Sequence, residues 1–214
     1  MKLKLTSGNT YFGYGYDVWT FVLPSGFSCP FALDCLTYAD RKTGKIRYGK
    51  GTKFKCYSAF TERYPNVREL AWNNLMSLKR KTKDEMTKLL SDAVPPEARY
   101  VRIHSGGDFF SQDYFDAWVE VVLRHPGKRF WAFTKSVGYW VNRLGKIPKG
   151  LCLQASYGGK EDHLIAEHGL KYAKVVNSRD EARALGLKVD TNDVLAMAGK
   201  ESFALLENFA TRGK

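Results

Sequence analysis

Tyr100-Val101-Arg102-Ile103-His104-Ser105-Gly106-Gly107-Asp108 begins the stretch that decides the fold. Residues 100–104 form a strand-like run that ends at the diglycine. Ser111 then reads as an N-cap. Tyr114, Phe115, Trp118, Val121 and Val122 make an apolar helix face, closed by His125-Pro126-Gly127. The alternation continues downstream. Strands are expected at 129–134, 151–156, 171–176 and 188–190, and helices at 137–144, 160–167 and 179–185. Gly158-Gly159 closes one strand and Gly169 one helix. A helical tail is expected over 192–214. Strands separated by single helices imply a mainly parallel sheet with right-handed crossovers. Five or six such units predict an α/β fold, either a partial (β/α) barrel or an open doubly wound sheet.

Upstream, residues 18–23 read as a buried strand stopped by Pro24-Ser25-Gly26, and residues 25–60 as an irregular, cysteine-bearing loop region. Pro65 and Asn66 open a helix with Val67, Leu70, Ala71, Leu75 and Leu78 on one face. A shorter helix around 86–90 ends before Pro95-Pro96. No repeat, low-complexity segment or linker divides the chain, so one domain over 1–214 is expected.

In both candidate architectures ligands bind outside the carboxyl ends of the strands. Those ends carry His104 to Asp108, Thr134-Lys135-Ser136, Ser156 to Gly159 and Asn177-Ser178. The loop with Cys29 and Cys35 follows the first strand and falls on the same edge.

Cys29, Cys35 and Cys56 are spaced as C-x5-C, then twenty residues, then the third cysteine. Thiolates are soft ligands suited to iron–sulfur clusters, zinc or copper(I). A structural zinc site wants four closed ligands, often in C-x2-C pairs, and no such pair occurs here. Three thiolates fit a 4Fe–4S cluster with one open iron. Zinc, or three unconnected thiols, are the competing readings. Cys152, within Leu151-Cys152-Leu153-Gln154, reads as a buried structural thiol.

Gly106 and Gly107 can admit close backbone approach, and Asp108 can accept from a cationic amine. An ordinary strand-to-helix turn uses the same residues. His104 is expected to pack or hydrogen-bond rather than ligate. Trp118, Trp131 and Tyr114 follow helix and strand periodicity and read as core. The chain holds no phosphate-binding glycine loop, nucleophile elbow or metalloprotease histidine pair.

The 214 residues are 44% hydrophobic and 14% aromatic, which excludes a disordered chain. No apolar run approaches the ~18 residues that span a bilayer, and the start of the chain lacks a signal-peptide pattern. A cytoplasmic protein without a membrane partner is expected, and its cysteines read as ligands or free thiols rather than disulfides. The net charge is +12. Arg41, Lys42, Lys45, Arg47, Lys50, Lys53 and Lys55 stand against a single acid, Asp40. That run suits nucleic acid or an acidic host protein, or serves only as a solvated loop.

Cys29-Pro30-Phe31-Ala32 with Cys35, Cys56-Tyr57-Ser58-Ala59, Arg63-Tyr64-Pro65, the block from Val101 to Phe109 and Phe130-Trp131-Ala132-Phe133-Thr134-Lys135-Ser136 resemble the phage "gene product 88" family. The resemblance runs from about residue 5 to 178. It implies a phage or prophage protein acting inside a bacterium. That family is similar in turn to radical S-adenosylmethionine proteins. The second similarity implies a partial barrel with Cys29, Cys35 and Cys56 as ligands of a 4Fe–4S cluster. It also implies S-adenosylmethionine at the open iron, its amino group held by Gly106, Gly107 and Asp108. Two features depart from the radical-S-adenosylmethionine pattern. The usual C-x3-C-x2-C spacing is stretched by the basic insertion, and Asp108 is one methylene shorter than the usual Glu. The alternative is a non-catalytic module, stabilised by a cluster or zinc, that binds a polyanion through 41–55.

Overall fold

The computed structural model describes residues 2–7 and 18–207. Along the chain run β1 (Thr6–Ser7), β2 (Val18–Val22), β3 (Thr37–Ala39), β4 (Ile46–Tyr48), α1 (Tyr57–Thr61), α2 (Pro65–Leu78), α3 (Lys83–Ala93), β5 (Tyr100–Gly106) and α4 (Gln112–Arg124). Then follow β6 (Arg129–Thr134), α5 (Val137–Val141), β7 (Leu151–Ser156), α6 (His163–Glu167), β8 (Tyr172–Val176), α7 (Arg179–Ala184), β9 (Lys188–Val189), α8 (Val194–Ala198) and β10 (Phe203–Leu206). Eight strands form one sheet in the order β1-β2-β5-β6-β7-β8-β10-β9, and β3 and β4 form a separate pair. All pairings in the large sheet are parallel except β1 with β2.

From β2 to β8 each new parallel strand is added on the same side of the last. Right-handed crossovers running in one direction place their helices on one face. That face carries the main core. Phe21, Val101, Ile103, Phe130, Ala132, Leu151 and Leu153 pack against Leu78, Met86, Leu90, Phe115 and Trp118 from α2, α3 and α4. Thr82 closes a capping box with Glu85 at the start of α3, and the Ser111 hydroxyl accepts from the Tyr114 N–H as expected.

The opposite face is treated differently along its length. Toward the amino ends of the strands, α8 covers Trp131, Cys152, Ala173 and Phe203. The Cys152 thiol donates to the Met197 carbonyl at 3.2 Å. Further along the same face, two residues on for Phe133, Val175 and Leu205 and four for Ser156, the strands line an open cavity instead. Side-chain alternation on the strands thus hands the same face first to core and then to cavity.

Three expectations are corrected. The region 25–60 is not irregular throughout: it holds the β3–β4 hairpin and α1. Among its described residues the tail is helical only at α8. β10 follows, and it pairs parallel with both β8 and β9. Ala204 is fully buried there, so burial overrides a sequence that reads equally well as helix. Residues 208–214 lie outside the described part. The sheet has eight strands where five or six were expected: the additional ones are β10, from the tail read as helix, and the two-residue edge strand β1, Thr6–Ser7, which carries no apolar signal.

Candidate functional site

The site is built on the carboxyl edge of the sheet, from the loop after β2, which carries Cys29 and Cys35, and from the start of α1, which Cys56 caps. After β2, Pro24 and Gly26 (φ +75°) turn the chain sharply. The Gly26 N–H points at Cys29 Sγ, 3.3 Å away. The loop then crosses the sheet edge. Leu33 and Asp34 donate backbone N–H groups to the Gly158 carbonyl at 3.2 and 2.9 Å, and Lys160 N–H donates to the Phe31 carbonyl at 2.9 Å. Cys35 follows. The chain leaves as the β3–β4 hairpin and returns where Lys53 and Phe54 N–H groups bond to the Asp34 carbonyl, at 2.7 and 3.0 Å. Two residues later Cys56 stands at the N-cap of α1. The twenty-residue gap between Cys35 and Cys56 is therefore a hairpin whose closed base brings the third thiol back to the first two.

The two glycines are explained by this packing. A β-carbon on Gly106 would stand 2.0 Å from the Ser58 hydroxyl oxygen, and one on Gly107 would stand 2.5 Å from that of Ser28. Gly107 also has φ +85°. The diglycine admits α1 and the cysteine loop to the end of β5. Next to it the β2–β5 register slips: Thr20 pairs with Arg102 but Val22 with Gly106. His104 occupies this bulge in the left-handed region, φ +66°. Its Nε2 lies 3.0 Å from Tyr114 Oη, and its ring meets Phe109 edge-on. Burial, helped by Arg102, pushes the imidazole down to about 3, so it is neutral at ordinary pH.

Asp108 is buried, and its carboxylate already receives three donors. Phe109 N–H and the Thr134 hydroxyl bond to Oδ1, each at 2.7 Å, and Lys135 N–H bonds to Oδ2 at 2.8 Å. It therefore ties the end of β5 to the end of β6. Burial raises it to about 6 despite those donors. The Lys135 ammonium is spent on Ser156 and on the Tyr157 carbonyl.

Cys29, Cys35, Cys56, Gly106, Gly107 and Asp108 all line one cavity of about 810 Å³. That volume is within the usual range for small-ligand sites. All four cysteines are free thiols. Burial raises Cys29 well above its ordinary value, with further upward pushes from Asp108, Cys56 and Cys35. Cys35 is raised to about 11, mainly by burial, with Lys135 opposing. Burial also raises Cys56, and the N–H groups of Ala59 and Ser58 and the Ser25 hydroxyl partly offset it. Among the described residues no group of three or more His, Cys, Asp or Glu side chains is arranged to hold a metal ion. A cubane spreads its thiolates over separate irons, so its ligands stand further apart than those of one ion.

Two features of the site have no warning in the sequence. Glu62 is fully buried beneath the cysteine loop; its Oε1 accepts from Ser25 N–H at 2.7 Å, and its Oε2 has no partner. Burial lifts it to about 7. Nothing in Phe60-Thr61-Glu62-Arg63 marks an acid for burial. Arg102 links two walls, pairing with Asp193 at 2.9 Å and donating to Tyr57 Oη at 2.7 Å, while that hydroxyl donates to the Ser105 carbonyl.

A family model described as "Gene product 88" matches residues 2–213. The chain is 32% identical over 118 residues to the "Gene 88 protein" of Mycobacterium phage L5, a match covering 53% of this chain and 46% of that relative. It thus spans about half the length of that curated relative. No solved structure matches the chain.

Proposed function

The chain belongs to the gene product 88 family, and from that premise we propose that it holds a 4Fe–4S cluster on Cys29, Cys35 and Cys56. The observation that carries this reading is the convergence of three thiols on one cavity, two from the loop after β2 and one from the N-cap of α1. Their chemistry fits. Each thiol is raised by burial, and Cys29 and Cys35 also by neighbouring thiolates, a repulsion that a cationic centre between them removes. N–H groups directed at Cys29 and Cys56 are the kind of donor that tunes cluster potentials. The one-way strand order from β2 to β8 is the order a partial (β/α) barrel uses, and such a barrel is the scaffold we propose.

When bound, a 4Fe–4S cluster supplies one-electron chemistry and an iron open to a small ligand. S-adenosylmethionine is the ligand proposed for that iron. Asp108 retains acceptor capacity on Oδ2, which receives one donor, and it faces the cavity that the thiols share. Its principal role is to hold the 106–108 turn, and any amine would bind as an additional donor.

The test is anaerobic purification followed by iron and sulfide analysis and paramagnetic resonance. About four of each per chain is expected for an intact cluster. Stoichiometric zinc without sulfide, from iron-replete and oxygen-free preparations, would overturn the reading in favour of a zinc-stabilised module. Calorimetric titration of S-adenosylmethionine into the loaded protein decides the ligand separately.

A further inference from the structure

The cavity and the basic insertion are parts of one surface. Arg41, Lys42, Lys45, Arg47, Lys50, Lys53 and Lys55 are all exposed. The one acid among them, Asp40, is spent on the Thr43 hydroxyl and on the N–H groups of Thr43 and Lys42. The hairpin does not project freely. Arg68 donates to the Arg41 carbonyl at 3.0 Å and to those of Glu62 and Arg63 at 2.7 and 3.1 Å. A β-carbon on Gly44 would lie 3.1 Å from the Arg63 carbonyl oxygen. The hairpin turn is thereby held against the Glu62-Arg63 backbone, and Arg63 and the next residue, Tyr64, both line the cavity.

The same strip carries exposed aromatic rings. Tyr64 is 64% exposed, Tyr48 51% and Tyr57 40%. Arg63 lies over the ring of Phe60, which also lines the cavity. Lysines and arginines interleaved with exposed flat rings match the two needs of an unpaired polynucleotide, phosphate neutralisation and base stacking. A duplex has no free base faces to stack, and an acidic protein has no use for the rings. The acids of the inner cavity do not oppose this. Asp108 receives three donors, Asp193 is paired with Arg102, and Asp190 accepts from the N–H groups of Asn192 and Ala196, which leaves Glu207 among the lining acids.

We infer that the hairpin and the cavity mouth together bind a single-stranded polynucleotide, with phosphates on the hairpin and a base stacked at Tyr64. This stands on residues other than the cysteines and holds whatever they carry.

The experiment is fluorescence anisotropy of the full chain with a labelled oligothymidylate of about 15 nucleotides, against a duplex of equal length and poly-glutamate. Binding is measured at ~50 and ~200 mM salt. The single strand is expected to bind more tightly than the duplex, and poly-glutamate not at all. Tyr64→Ala is expected to weaken binding roughly 5- to 150-fold, while Tyr64→Phe retains it. Lys42→Glu with Lys45→Glu and Arg47→Glu is expected to weaken binding and flatten its salt dependence. Tyr48→Ala carries the same test if Tyr64→Ala shifts the thermal melt. Equal or tighter duplex binding, capture of poly-glutamate, indifference to loss of the tyrosine rings, or no binding at the lower salt would each overturn the inference.

Discussion

Gly106 is the residue on which the site's construction turns. A side chain there meets the Ser58 hydroxyl at 2.0 Å, and Ser58 lies two residues after Cys56. Gly106→Ala is expected to destabilise the protein by about 1–3 kcal/mol by overpacking. Ser58→Gly should recover most of that loss, as a double-mutant cycle in urea would show; independent, additive effects would count against the contact. Glu62 adds a pH dependence. Its folded value, raised by burial to about 7, exceeds the ordinary 4.5. The native state therefore binds more protons between those values. The contribution is complete below about pH 4.5 and is lost as pH rises toward 7. In metal-free protein, Glu62→Gln should gain stability relative to the unsubstituted chain across that window. Chemical denaturation at pH 4.5 and 7.5 would reveal it, and a pH-independent difference would refute it. His104, buried neutral, slopes the opposite way, so only the difference between the two proteins isolates Glu62.

Among the elements, the β3–β4 hairpin has the least support from the sheet. It pairs only with itself, and Arg68 fastens it to the end of α1. Removing that guanidinium leaves the carbonyls of Arg41, Glu62 and Arg63 without this donor. Each hydrogen bond to a charged group contributes about 1.5–3 kcal/mol. Arg68→Met is expected to speed amide exchange in the hairpin and in residues 62–64 while β5, β6 and β7 keep their protection. Uniform loss of protection would mean that the hairpin and sheet unfold as one unit. α8 is held differently. Asp190 accepts from the Ala196 N–H at 3.1 Å, and Cys152 donates to the Met197 carbonyl. This short helix is thus fixed from its flanks rather than by its own length.

For the molecule as a whole, the cysteine loop, the hairpin base and α1 converge on one edge of a sheet whose other face is filled by helices. A ligand that binds only this folded arrangement stabilises it by mass action. Loading iron and sulfide under anaerobic conditions is expected to raise Tm. Cys29→Ala, Cys35→Ala and Cys56→Ala should each abolish the rise, and Cys152→Ala should leave it, because that thiol is enclosed by α8 on the other stretch of the face. A rise that persists in all three cavity variants would place the iron elsewhere. Among the described residues no helix is long and apolar enough to cross a membrane.

Periodic apolar residues alone determined the alternation of strands and helices from β5 to α7. They did so because burial on one strand or helix face repeats at a fixed interval along the chain. Topology then placed the cysteine loop and the Gly106–Gly107–Asp108 turn on one edge, since parallel strands present all their carboxyl ends together. What the thiols bind was legible only as a set of alternatives. The hairpin that returns Cys56, the burial of Glu62, and the diglycine's role in admitting Ser58 and Ser28 came only with the tertiary structure. Each depends on contacts between residues distant in sequence, and no local propensity encodes which segment will arrive. The same holds for β10. Its four residues are apolar enough for either helix or strand, and the vacant edge of β8 decides between them.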